Sequence, residues 1–211
     1  MIIGRYYFYN LAFLARKVAC MLRRGSVGAI PTDTSYGVAA DATNPSAVEK
    51  VFRVKRRPMS KPLSIFVPSK EFIRETFVVD ETVEKALELL PGRFTFILKL
   101  KRKRGLAKGV VTSDGSVGVR LPEHLFPHLV SKFLGYPVTA TSANISGEPP
   151  IYDSRELFRK LKGLDFIVDA GTLPFVEVST VIDFTVYPPR ILREGAVKRE
   201  YIEKFLGFRL E

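Results

Sequence analysis

The stretch VGAIPTDTSYGVAADATNPSAVEKVF, residues 27–52, carries the mark of the fold in its punctuation. A short apolar run over 27–30 reads as a strand, and it stops at Pro31, which has no N–H to give to a sheet ladder. Further on, Asn44 followed by Pro45 is a capping residue with proline at the first helical position. Val48, Val51 and Phe52 then recur at helical spacing. Strand, polar connection and amphipathic helix in that order predict one unit of an α/β fold.

The same alternation extends both ways. Upstream, the segment through Tyr9 reads as an edge strand or arm. Asn10 then opens a helix whose Leu11, Leu14, Val18 and Leu22 share one face, and Gly25 ends it. Downstream, strands are expected over 63–67, 94–100, 117–120, 137–141, 165–168, 179–184 and 190–193, and helices over 69–77, 80–90, 123–134, 154–161 and 199–206. No repeat, low-complexity tract or Pro/Gly/Ser linker interrupts the series. Residues 1–211 are therefore read as a single α/β domain around a largely shared central sheet.

Composition narrows the class. The chain sets 33 Lys and Arg against 22 Asp and Glu, a formal charge of +11, yet 46% of its 211 residues are hydrophobic, far more than in a disordered polycation. The surplus charge sits on a folded scaffold and points to a polyanionic partner, either a nucleic acid or a phosphorylated small molecule. A single cysteine, Cys20, excludes an intrachain disulfide framework and a Cys-rich zinc site, and is expected as a small buried apolar residue. The longest apolar stretches are strand-sized, well short of the ~20 residues of a membrane span. The N-terminus lacks the basic region before an apolar core that marks a signal peptide. A soluble cytoplasmic protein is the expectation.

Residues suited to chemistry collect in the connections. PTDTSYG, residues 31–37, offers three hydroxyls, an acid and a tyrosine, which fits a small polar ligand or a turn that caps its own backbone. KRRPMSKP, 55–62, sets Lys55, Arg56, Arg57 and Lys61 at the end of a helix and stiffens them with two prolines. Arginine suits bidentate phosphate contacts and lysine acts as a point charge, while cations at a helix C-terminus also satisfy the macrodipole without any ligand. KRKRGLAKG, 101–109, is denser but carries no aromatics, and fits a solvated loop, an RNA contact or a cover over a phosphate site. TSANISGEPP, 141–150, places Ser142 and Asn144 around a small residue just past a strand, where donors converge on an anion or cap the turn itself. Ser179, Thr180 and Arg193 stand at strand ends.

Other chemistries do not assemble. There is no P-loop, no dinucleotide fingerprint and no nucleophile elbow. His124 and His128 are four residues apart but have Pro127 between them and lack the Glu of a zinc-protease helix, so they are expected as surface helix residues with no metal held by protein side chains. Any reaction is left to cations, hydroxyls and a metal brought by the substrate.

Taken in order, PTDTSYG, KRRPMSKPL, PGRFTFIL, SVGVRLP, TSANISGEP, STVID and ILREG run from residue 31 to residue 195 and resemble the YrdC/TsaC family. The resemblance implies a twisted, mostly mixed central sheet with helices packed on it and a concave, positively charged face. It implies an L-threonylcarbamoyladenylate synthase, a nucleotidyltransferase. L-threonine and bicarbonate or carbon dioxide give a carbamate, which attacks the α-phosphate of ATP and releases pyrophosphate, with Mg2+ accompanying the ATP. The product would pass to downstream tRNA-modification proteins for threonylcarbamoyl modification of a tRNA adenosine. A non-catalytic RNA-binding protein using the same face is the alternative. Carried over by motif, Thr34 would contact threonine with Thr32 and Tyr36 shaping the pocket, Arg120 would meet the threonine carboxylate, and Ser179 would assist. Lys55, Arg57 and Lys61 would form the catalytic cationic set facing the triphosphate and carboxylate. Ser116 and Arg193 would bind nucleotide, and Ser142 and Asn144 would hold nucleotide phosphate and carbamate.

Some positions depart from the family pattern. Lys61 precedes Pro62 where Asn often stands, Phe66 occupies a place where His is frequent, and Glu177-Val178-Ser179 replaces the usual Gly-x-Glu-Ser. These features also fit the YciO-like subgroup, although that group tends to lose the Ser142-Ala143-Asn144 triplet kept here. The additional C-terminal domain of longer synthases, with its linker, is expected to be absent.

Overall fold

Ladder hydrogen bonds gather ten strands into one sheet in a computed structural model that describes residues 2–5, 10–102 and 105–211. The strands are β1 (Ile2–Arg5), β2 (Gly28–Pro31), β3 (Tyr36–Ala39), β4 (Ser64–Phe66), β5 (Phe94–Lys99), β6 (Ser116–Arg120), β7 (Val138–Ser142), β8 (Phe166–Asp169), β9 (Thr180–Asp183) and β10 (Arg190–Arg193). The helices are α1 (Leu11–Arg23), α2 (Pro45–Lys55), α3 (Lys70–Thr76), α4 (Glu81–Ala86), α5 (Leu125–Leu134), α6 (Ser154–Lys160) and α7 (Arg199–Leu206), with a 3-10 turn at Leu87–Leu89. Strand order is β1-β8-β2-β3-β7-β4-β6-β5-β9-β10. The pairs β1/β8, β8/β2, β4/β6 and β5/β9 are parallel, and the remaining five are antiparallel. The single α/β domain and mixed sheet expected from the sequence are present. Residues 6–9 of the expected arm and residues 103–104 of the basic cluster lie outside the described residues.

Period-two alternation gives the sheet two apolar faces. Ala29, Val38, Ile65 and Ile167 join the larger core with Val48, Val51 and Phe52 of α2, Ile73 of α3, Leu157 of α6 and Ile202 of α7. Their neighbours Ile30, Ala39, Phe66, Phe166 and Val168 point the other way, into a smaller core with Leu14, Val18 and Leu22 of α1 and Phe126, Val130 and Leu134 of α5. Two helices cannot cover one face of a ten-stranded sheet. Toward β5 and β9, Ile97 and Val181 are left half-buried on the second face, and that bare stretch is where the cavity described below forms.

Local chemistry sets the element ends. Asn44 Oδ1 accepts the Ala47 N–H at 3.1 Å and Pro45 opens α2, as the sequence predicts. Asp80 and Ser69 cap α4 and α3 in the same way. α2 ends on Arg56 at φ 48°, a left-handed residue in the position glycine usually takes. The Arg57 N–H then turns back to the Phe52 carbonyl at 2.9 Å, so the chain reverses before Pro58.

Two expectations need correction. The connection 31–37 is shorter than it looked: Tyr36 and Gly37 open β3, which pairs with β2 in a hairpin whose Thr32 N–H donates to the Ser35 carbonyl at 3.1 Å. The YGVA run is only four residues long and follows directly on the hydroxyl-rich turn, so in sequence it reads as part of the connection, and the pairing with β2 and β7 defines it as a strand. Cys20 lies on the outward side of α1 and is exposed rather than buried.

Gly195 is the tightest backbone approach beside the bare face. A Cβ there would meet the Val178 carbonyl oxygen at 2.1 Å and the Ser179 carbonyl carbon at 2.8 Å. Gly195→Ala should therefore cost about 1–3 kcal/mol as an overpacking change, read as a lower urea midpoint at unchanged denaturant slope. A midpoint equal to that of the wild type would show that the β9 entry yields freely.

Candidate active site

The bare face holds a cavity of about 200 Å³, built from the β2–β3 turn, β4, β5, the end of β6, β7, the entry to β9 and the end of β10. Pockets that enclose drug-sized ligands run to roughly 300–1,000 Å³. This one takes a small polar molecule whole and a nucleotide only in part. Arg57, Arg120 and Arg193 line it together with several hydroxyls, and no carboxylate is among the lining residues.

Eight of the twelve residues singled out from the sequence line this cavity: Thr32, Thr34, Tyr36, Arg57, Arg120, Ser142, Ser179 and Arg193. Their hydrogen bonds divide them. The Thr32 hydroxyl donates to the Ser35 carbonyl at 2.7 Å and holds the turn, leaving Thr34, 3.3 Å from it, as the freer hydroxyl. The Tyr36 phenol donates to the Gly171 carbonyl and accepts from the Ala170 N–H, both at 2.9 Å, so its ring packs while its oxygen is spent on the connection that follows β8. Burial pushes that phenol up to about 12. Ser179 shares a 2.9 Å contact with the Thr95 hydroxyl.

Each guanidinium is braced. Arg57 donates to the carbonyls of Lys61 (2.7 Å) and Pro62 (3.0 Å), and burial lowers its pKa. Arg193 donates to the Ser179 carbonyl at 2.8 Å and lies 3.2 Å from the Ser179 hydroxyl. Its pKa is lowered by burial and then by the nearby charge of Arg120. Arg120 pairs with Asp33 at 2.8 Å and stacks its guanidinium carbon 5.2 Å from the Phe66 ring centre. Three cations drawn together at the expense of their own solvation form a ready anion site.

The other four residues do not line the cavity. Lys55 is 1% exposed, and its ammonium donates to the Ser142 carbonyl, to the Asn144 carbonyl at 2.9 Å and to Asn144 Oδ1 at 3.3 Å. The Asn144 amide donates to the carbonyls of Ile145 and Glu148, and its oxygen also accepts from the Ser142 hydroxyl at 2.5 Å. Both residues fix the turn that presents Ser142. Ser116 stands at the end of β6 opposite Arg120, about 13 Å away at strand rise, with its hydroxyl bonded to Asp114 and Thr112. The Lys99 ammonium holds the Asp114 carboxyl well below the usual carboxylate range. Lys61 is exposed on the loop beside the mouth. Lys101 of the basic cluster donates to the Arg74 carbonyl at 2.6 Å.

Sequence reasoning missed Ser64 and Thr95, both in the lining. Thr95 had a signal: in PGRFTFIL it is the polar residue between Phe94 and Phe96, and the two phenylalanines face the core. Asp33, which braces Arg120, had none beyond its place between two threonines.

A family model described as "Telomere recombination", for the Sua5, YciO and YrdC proteins, matches residues 20–195. This chain belongs to the Sua5/YciO/YrdC family. A relative in Pyrococcus abyssi named threonylcarbamoyl-AMP synthase is 33% identical over 196 residues, covering 91% of this chain and 57% of that protein. A Methanocaldococcus jannaschii relative is 34% identical over 189 residues, covering 89% of this chain and 86% of its own length. The solved structure of P. abyssi Sua5 complexed with L-threonine superposes at a TM-score of 0.86 with 31% identity, over 100% of this chain and 62% of that one. The chain thus spans just over half the length of the Pyrococcus relative. Family membership accounts for the order of the seven motifs and for their convergence on one face. Among the described residues no helix is long and apolar enough to cross a membrane.

Within this family site, Lys55 is an unusual support. Its three oxygen partners favour the protonated form, while burial and then the Arg57 charge work against it and bring its pKa down to about 7 from an ordinary 10.5. Between these values the unfolded chain holds a proton that the folded chain has released, so stability rises with pH across that window and is flat below it. Urea titrations at pH 7 and pH 9.5 should show the wild type gaining stability relative to Lys55→Met as pH rises. Parallel pH dependence in the two proteins would mean that Lys55 keeps its proton throughout.

Proposed function

We propose that this chain is a threonylcarbamoyl-AMP synthase, a nucleotidyltransferase converting L-threonine, bicarbonate and ATP into threonylcarbamoyl-AMP, pyrophosphate and water. The observation that carries the reading is the set of three braced guanidiniums and several hydroxyls in one small cavity, in a family whose Pyrococcus member has been solved with L-threonine. In this reading threonine lies inside, its carboxylate against Arg120 and its hydroxyl and backbone groups near Thr34 and Ser179. The triphosphate spans Arg57 and Arg193 and leaves through the mouth past Lys61, which fits a cavity too small for a whole nucleotide.

The reaction asks for little covalent help. Threonine nitrogen joins the carbon of bicarbonate with loss of water, or that of carbon dioxide with loss of a proton, and a carbamate oxygen then displaces pyrophosphate from the α-phosphate. Negative charge gathers at carboxylate, carbamate and phosphates at once, so fixed cations and correct placement supply the stabilisation. Guanidiniums and hydroxyls suit phosphate oxygens rather than a divalent cation, so Mg2+ belongs to the nucleotide here and neutralises the triphosphate. The product calls for tRNA-modification proteins downstream, in the cytoplasm where ATP and tRNA meet. In this reading Lys55, Asn144 and Ser116, which stand outside the cavity lining, support the site rather than touch substrate.

Purified protein given Mg-ATP and bicarbonate should release pyrophosphate only when L-threonine is added, and threonylcarbamoyl-AMP should accumulate; lack of threonine-dependent ATP turnover sinks the reading. Arg57→Ala should lower turnover by roughly 100-fold without shifting the thermal midpoint appreciably. Lys61→Ala should raise KM for ATP and leave KM for threonine unchanged. A threonine effect at Lys61 would place the triphosphate elsewhere.

A further inference from the structure

Arg120 differs from the other two arginines of the cavity in what holds it. Arg57 and Arg193 lean on neutral oxygens, whereas Nη2 of Arg120 donates to Oδ1 of Asp33 at 2.8 Å, in an ion pair whose side chains are 10% and 4% exposed. Asp33 itself is not among the lining residues, although Thr32 and Thr34 on either side are. The pair uses one nitrogen and one oxygen only. Arg120 Nε and Asp33 Oδ2 are buried and bond to nothing among the described residues.

Such a pair is poorly explained by stability or by raw affinity. Burying two charges with hydrogen-bonding capacity left over is a costly arrangement, and a guanidinium already facing a carboxylate attracts an incoming anion less strongly. What it does provide is orientation. The Phe66 ring, 5.2 Å from the guanidinium carbon, is an apolar neighbour with no acceptor to offer, so a rotation that breaks the Asp33 bond finds no substitute there. The unspent Nε and Oδ2 belong to the same two side chains, so the second arrangement they could form would still hold Arg120 to Asp33.

We propose that Asp33 is a positioning residue, set behind the cavity wall, which locks Arg120 against Phe66 so that the remaining edge of the guanidinium meets a ligand carboxylate in one fixed geometry. That the carboxylate belongs to threonine rests on the synthase reading; the locking of Arg120 does not. Removing the Asp33 charge should then free Arg120 and weaken the amino-acid subsite selectively, leaving the triphosphate side, braced by backbone carbonyls, nearly unaffected.

Two measurements separate these statements. In protein carrying 15N-labelled arginine, with Arg120→Lys identifying the resonance, the wild type should show resolved, slowly exchanging Nη signals for Arg120, and Asp33→Asn should average them. Asp33→Glu, which retains the charge, should keep them resolved and serves as the second variant if Asp33→Asn proves unstable. Unchanged Arg120 signals in Asp33→Asn would overturn the proposal. In calorimetric titrations, Asp33→Asn should bind L-threonine at least roughly tenfold more weakly while ATP binding stays within about twofold. The Asp33→Asn/Arg120→Ala double variant should be no weaker for threonine than Arg120→Ala alone. Equal losses for threonine and ATP, or losses that multiply in the double variant, would overturn it as well. Absence of any threonine binding by the wild type would refute the synthase reading, and the NMR comparison would still decide the role of Asp33.

Discussion

Like charges repel, and a cavity lined by three guanidiniums holds its shape only if each is tied to something else. The fold meets that constraint three times by different means. Backbone carbonyls of Lys61 and Pro62 hold Arg57, the carbonyl and hydroxyl of Ser179 hold Arg193, and the Asp33 carboxylate holds Arg120. Every tie comes from a neighbouring connection rather than from the strand carrying the arginine, except for the local loop at Arg57. The connections are therefore fixed by the charges they brace, and the sheet fixes the distances between them. A preorganised anion site needs this, because donors that must reorganise as charge develops lose most of their value.

The end of α2 and the 141–150 turn form one mechanical unit. Arg56 in a left-handed conformation turns the chain, so that Lys55 points inward and Arg57, two residues on, reaches the cavity. The Lys55 carbonyl accepts the Ser146 N–H at 2.8 Å, and its ammonium closes on the oxygens of Ser142 and Asn144. Arg57 and the Ser142 hydroxyl are thus set relative to each other by a single residue that stands outside the cavity lining and is closed to solvent. A buried lysine is a demanding way to make this link, yet it serves where a hydrophobic residue could not. The turn presents three oxygens to it, and leaving them unpaired would cost about as much as losing the hydrogen bonds outright.

Much of this was legible in the sequence wherever a local rule governs. The Asn44-Pro45 start of α2, the alternating strands and the ends of α5 and α7 follow from capping and periodicity, and the order of motifs led to the family. β3 was missed because it is only four residues long, begins directly after the hydroxyl-rich turn and is defined by its pairing with β2 and with the distant β7. For the site, sequence supplied the connections that meet at the cavity and eight of the side chains that line it. It could not say which polar groups face inward: Lys55, Asn144 and Ser116 sit in motifs as well matched as that of Arg57, and only the folded chain, with Lys55 bonded to a residue 89 positions away, leaves them outside the cavity lining. Asp33 illustrates the converse, since a brace is defined by a contact 87 residues away and leaves no mark in its own neighbourhood.

Phe66 shows how a departure from the family pattern fits the same electrostatics. A histidine at this position beside Arg120 would be an added titratable group in a cavity that already concentrates three cations, and it would tie the charge of the site to pH near neutrality. Phenylalanine removes that variable and substitutes a ring face, which attracts a guanidinium without carrying charge of its own. The same ring belongs to the smaller hydrophobic core with Phe126 and Val138. The surface that steadies Arg120 is therefore anchored by the packing of α5 against the sheet. The chemistry of the cavity is in this way coupled to the burial that folds the domain, and the reduced freedom of Arg120 is obtained from apolar contacts that exist for the sake of the core.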